Sequence, residues 1–162
     1  MVVRERGVWV SVVLAACGLF LLAGPALAGE GCRGKLSGAA SGEFACSLDA
    51  SYRAKKDVTT LVISVPAPPP GVKSLAPCSF DLKGKPEVGT LTLKDLGRGG
   101  SILNATDGKD YFASGALKKG SLTLEIQKVE PLGKLGFKVT GKLTATLQEV
   151  AGPGQVTVEA SF

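Results

Sequence analysis

The stretch "FKVTGKLTATLQ", Phe137 to Gln148, decides the fold class. Phe137, Val139, Leu143, Ala145 and Leu147 share one parity, while Lys138, Thr140, Lys142, Thr144 and Thr146 share the other. A β-strand turns successive side chains to opposite faces, so this segment reads as a strand with one dry and one wet face. Gly141 interrupts the row in mid-strand, where a bend or bulge lets one long strand serve two sheets. The pattern recurs in both directions. "SLTLEIQ" sets Leu122, Leu124 and Ile126 against Ser121, Thr123, Glu125 and Gln127, and "QVTVEASF" sets Val156, Val158, Ala160 and Phe162 against Thr157, Glu159 and Ser161. Upstream, "EFACSLDASY" aligns Phe44, Cys46, Leu48, Ala50 and Tyr52.

Less regular strands are expected over 33–38, 58–65, 75–83, 89–94, 101–105 and 109–114. Turns separate them at Lys55-Lys56-Asp57, at Gly97-Arg98-Gly99-Gly100 and at Asp107-Gly108, the last a strong hairpin signal. Pro66-Ala67-Pro68-Pro69-Pro70 has no place inside a sheet, because proline donates no ladder hydrogen bond, and it reads as a stiff connector. Helical periodicity is nearly absent. The expectation is an all-β antiparallel β-sandwich of nine or ten strands.

Ahead of this domain stands a different kind of sequence. Arg4-Glu5-Arg6 precedes an apolar run from Val8 to about Ala23, then Gly24-Pro25, then Ala26-Leu27-Ala28. That order is the charged, apolar and small-residue order of an export signal, with cleavage expected between Ala28 and Gly29. Leu14-Ala15-Ala16-Cys17 offers a competing reading, lipidation at Cys17, although the residues after it stay apolar where a lipoprotein turns polar. A retained helical anchor is the third, from a run somewhat short of the ~20 residues of a span. The expected organisation is a signal over 1–28 and one domain over 29–162, exported to the periplasm or the extracellular space, with membrane attachment only through Cys17.

Residues 29–162 hold 17 Lys and Arg against 13 Asp and Glu, no tryptophan and no histidine. The basic pairs Lys55-Lys56 and Lys118-Lys119 lie in turns, without the stripe of cations and interleaved aromatics that nucleic-acid binding asks for, so no nucleic acid is expected. The lack of histidine removes Ser-His-Asp and Cys-His catalysis in their usual forms, together with the commonest transition-metal ligand. Asp49, Glu125 and Glu159 fall on wet faces with nothing to pair them for glycoside cleavage. Asp107, Asp110 and the Asn104 carbonyl lack the regular spacing of a calcium loop, and Asn104-Ala105-Thr106 matches only a short glycosylation pattern. No enzyme and no cofactor is implied.

Three cysteines remain after Gly29. Oxidising compartments preserve disulfides, so a bridge is expected with one thiol left over. A hairpin centred at Ala39 sets Cys32 opposite Cys46, close enough to bond. Cys46–Cys78 is the alternative. The adjacent aromatics Tyr111 and Phe112 cannot both face the core, and the pair, beside the Asp107-Gly108 turn, is the candidate contact surface for a protein or glycan partner. The final "VTVEASF" also has the alternation of an outer-membrane barrel terminus, but aromatic girdles and spans of ~9–11 residues are missing.

Taken together, "CRGKLSGAASGEFACSLDASY", "DLKGKPEVGTLTLKD", "GSLTLEIQKVE" and "FKVTGKLTATLQEVAGPGQVTVEASF" resemble a set of uncharacterised exported proteins of Gram-negative bacteria, some lipid-anchored, that share a small β-sandwich. The resemblance implies that fold and a leading cysteine pair like Cys32 and Cys46. It implies no activity. The expected role is binding or structural, with a secreted inhibitor or a ligand-binding module, carbohydrate being one candidate ligand, working through the 97–112 loops as the alternative.

Overall fold

The computed structural model describes residues 31–96 and 99–162. Eleven strands follow one another: β1 (Arg33–Gly38), β2 (Gly42–Ala45), β3 (Ser47–Arg53), β4 (Val58–Ser64), β5 (Val72–Lys83), β6 (Gly89–Thr92), β7 (Gly99–Ala105), β8 (Asp110–Ser114), β9 (Ser121–Leu132), β10 (Gly136–Glu149) and β11 (Gln155–Ser161), with a 3₁₀ turn at Ala54–Lys56. The expected cleavage site at Ala28 and Gly29, and Cys17, lie outside the described residues.

Every pairing is antiparallel, and the pairings fall into two runs. One is β2-β1-β11-β10-β9-β6 and the other is β3-β4-β5-β7-β8. β10 touches both ends of the second run, through Gly136 opposite Ser51 and through Gln148 opposite Phe112. This is an arrangement consistent with a sandwich whose two faces enclose one core. The strand count exceeds the expected nine or ten for a single reason. Residues 43–52 keep one inward row but change partners at Cys46, pairing with β1 before it and with β4 after it.

Alternation builds the core as the sequence implies. Leu61, Ile63, Phe80, Leu103, Leu124, Ile126, Leu143, Leu147, Val156 and Val158 are fully buried, drawn from both runs. The break anticipated at Gly141 is present as a register shift: Thr140 pairs with Lys128, but Gly141 pairs with Ile126, which leaves Gln127 over as a bulge on β9. A Cβ on Gly141 would stand 2.1 Å from the Glu125 carbonyl oxygen, so only glycine permits this close approach.

The hairpin centred near Ala39 forms as expected. Arg33 pairs with Ala45 and Lys35 with Glu43, the Cys46 amide donates to the Cys32 carbonyl at 3.1 Å, and Cys32 and Cys46 are joined in a disulfide with Cα atoms 4.9 Å apart. The bridge therefore sits where the chain leaves one run for the other. Cys78, the alternative partner of Cys46, is free and buried. Asp107-Gly108 turns β7 into β8, with Gly108 at φ 85° and its amide donating to the Ala105 carbonyl.

Candidate functional site: an outer face on the second run

The β7–β8 hairpin settles which of the two adjacent aromatics is available. On β8, Tyr111 and Ala113 point inward, and Asp110, Phe112 and Ser114 point outward. Tyr111 is 2% exposed and belongs to the core, so its assignment to a contact surface is corrected: β8 places it in the buried row. Phe112 remains, half-buried on the outer face.

The register across β5, β7, β8 and β10 lines up Ala76, Ile102, Phe112 and Gln148 in one outward row. Ile102 is 42% exposed, an aliphatic side chain in solvent directly opposite Phe112. The neighbouring outward row is polar and bonded along its length. Ser74 Oγ donates to Asn104 Oδ1 at 2.6 Å, and Asn104 Nδ2 donates to Asp110 Oδ1 at 2.6 Å. Each member orients the next, which holds the amide and carboxylate in a bonded row beside the apolar pair. The surface thus offers an apolar contact with hydrogen-bonding groups one row away. Ile102, Ser74 and Asn104 were not read from the sequence as contact residues. The parity of "SILNAT", with Ser101 inward and Ile102 outward, is the signal that marks them.

The remaining candidates are dispersed or self-satisfied. Asp107 Oδ1 accepts from the Lys109 amide and serves the turn. Among the described residues no group of three or more Asp, Glu, Cys or His is placed to hold a metal ion. Asp49, Glu125 and Glu159 stand on wet faces, and Glu159 is bonded to Lys35 at 2.8 Å, which raises the lysine above its ordinary pKa. Burial pushes the Cys78 thiol far above the usual range, so it is held protonated and poorly nucleophilic. Residues 97 and 98, part of the loops assigned to the alternative reading, lie outside the described residues.

A second feature lies on the first run. An open cleft of about 770 Å³ crosses β2, β1, β11 and β10, lined by Arg33, Lys35, Glu43, Lys142 and Glu159 over a floor that includes Phe44 and Leu143. Phe44 lies across Gly34, where a Cβ would come within 2.3 Å of its ring. The rim is of mixed sign, with Lys35 set between Glu43 and Glu159, so the cleft has little preference for a charged ligand.

No protein-family model matches the chain, and neither a curated protein nor a solved structure matches it.

Proposed function

We propose that this chain is an exported, non-enzymatic β-sandwich protein of the bacterial envelope or extracellular space that works by binding, with the outer face of β7 and β8 as its contact surface. Supporting the compartment are the charged, apolar and small-residue order of residues 1–28 and a disulfide of the kind that oxidising surroundings preserve. The resemblance to small exported sandwich proteins points the same way. One observation carries the binding surface: Ile102 and Phe112, two large apolar side chains, are directly paired on the wet face of a sheet, where most outward positions are polar. The test is Phe112→Ala combined with Ile102→Ala, compared with the wild type in chemical cross-linking and pull-down from the host's own envelope fraction. Loss of a captured partner with the melting temperature nearly unchanged supports the proposal. Capture that is indifferent to both changes removes this face from consideration.

A second reading is favoured by the polar strip. An aromatic ring beside an oriented amide and carboxylate suits a glycan, whose apolar face stacks while its hydroxyls bond. An array of bacterial surface glycans separates the two readings, because only the second expects signal there that Asn104→Ala abolishes.

A further inference from the structure

The cationic turns that are scattered in sequence meet at one end of the fold. Arg53, Val58 and Lys83 form one cross-strand row at the end of β3, β4 and β5. The 3₁₀ turn between β3 and β4 adds Lys55 and Lys56, both exposed. Beyond β5, the Gly84 amide donates to the Asp57 carbonyl, and Lys85 reaches over the Tyr52 ring with its Nζ 5.8 Å from the centroid. The β9–β10 turn arrives at the same place, because the Tyr52 amide donates to the Leu135 carbonyl at 2.7 Å and Gly136 pairs with Ser51. That turn carries Lys134, with Lys138 and Lys128 just below it.

Counting these segments gives eight cations and four carboxylates, Asp57, Asp81, Glu87 and Glu130. Two of the four are already bonded inside the cluster, Asp81 to Arg53 at 3.1 Å and Glu130 to Lys128 at 2.9 Å. The rest of residues 29–162 holds nine cations and nine carboxylates, so these segments carry a surplus equal to that of residues 29–162 as a whole. Beside these cations the β9–β10 turn presents apolar side chains to solvent: Leu132 is 67% exposed and Leu135 is 55% exposed, on either side of Lys134 in the chain.

We propose that this end docks onto the surface of an anionic lipid bilayer, with Leu132 and Leu135 entering the headgroup–acyl boundary and the surrounding lysines facing lipid phosphates. A soluble polyanion satisfies the lysines but has no place for two protruding leucines. A bilayer takes both, since apolar side chains partition into its boundary while lysine stems lie along it and their ammonium groups stay at the phosphates. Neither element suffices alone, and their superposition on one turn is what points to a membrane. The attachment is independent of Cys17 and of the β7–β8 face.

Because the only tryptophan in the chain is Trp9, inside the expected signal, a Leu132→Trp version of residues 29–162 reports on the turn alone. Leu132 is largely exposed, so the exchange leaves the core untouched. Residues 29–162, which lack the apolar run of residues 8–23 that would bind vesicles by itself, are mixed with vesicles of equal parts phosphatidylglycerol and phosphatidylcholine, or of phosphatidylcholine only. The expected result is a blue shift of the introduced indole and quenching by brominated acyl chains on the anionic vesicles, both suppressed at high salt. Each lysine near an anionic surface is worth roughly fivefold in partitioning, so Lys55→Gln with Lys56→Gln weakens binding about 25-fold. Lys73→Gln with Lys109→Gln, at the opposite end, leaves it unchanged. An indole that stays in water on both vesicle types overturns the proposal. Equal losses from the two lysine pairs also overturn it, as does salt-sensitive binding to dextran sulfate without any indole shift on vesicles, which identifies a polyanion site instead.

Discussion

Removing the Cys32–Cys46 bridge tests the energetic role of the point where the chain passes between the two runs of strands. The bridge joins residues 14 apart, closing a loop of about 15 residues. In the chain-entropy description such a closure restricts the unfolded ensemble by ~10 cal/mol/K, which is about 3 kcal/mol at room temperature. Cys32→Ala with Cys46→Ala also removes two buried sulfurs, a loss moderated because both alanines remain apolar. For a domain of this size the unfolding entropy is about 0.27 kcal/mol/K, so 3 kcal/mol corresponds to a fall in melting temperature of about 11 °C. Circular dichroism melts with and without a phosphine reductant, and urea titrations of both proteins, give the numbers. The m-value of the variant is expected to rise, because its unfolded chain is less restrained and exposes more surface. A loss below about 1 kcal/mol, or a wild type whose stability ignores reductant, refutes the reasoning. It then follows that the β1–β2 hairpin is preorganised in the unfolded chain, so that the cross-link removes little freedom.

Other expectations follow from single groups. Ser101 is fully buried and its hydroxyl has no hydrogen-bond partner, so Ser101→Ala is expected to stabilise the fold by about 1 kcal/mol, seen as a higher urea midpoint; a lower midpoint refutes this. Gly141→Ala drives a methyl group into the Glu125 carbonyl across the β9 bulge and is expected to cost roughly 2 kcal/mol or more, with hydrogen-exchange protection lost first along β9 and β10. Asp95 accepts bonds from the Thr92 amide and hydroxyl, each at 2.8 Å, which holds its carboxyl below the ordinary value of 3.8. A depressed carboxylate stabilises the fold above its unfolded pKa, and that contribution disappears as pH falls through the lower folded value. Asp95→Asn is therefore expected to lower the melting temperature at neutral pH and to flatten its acid-side decline; a parallel decline in both proteins counts against it.

The sequence made the strands legible and their partners less so. Period-two rows marked β9, β10 and β11 because each buries one face, and the symmetry of Cys32 and Cys46 about Ala39 marked the first hairpin. The division at Cys46 was invisible for a physical reason: Phe44, Cys46, Leu48 and Ala50 hold one unbroken phase while the neighbouring strand changes, and phase records burial rather than partnership. Tyr111 and Phe112 were distinguishable in principle, since Phe112 shares its parity with Asp110 and Ser114. The clustered lysines were not. Lys55, Lys85 and Lys134 stand far apart along the chain, and only the register of β3 against β10, with the contact between Asp57 and Gly84, brings them together.

The position of β11 has a temporal consequence. It lies between β1 and β10, so the first and last described strands are neighbours in the sheet. Val156 and Val158 are fully buried there, and residues 33–38 have no lasting partner on that side until residues 155–161 are available. Contacts of such long sequence separation form late and slowly. The core therefore closes only once residues 155–161 have taken their place between β1 and β10.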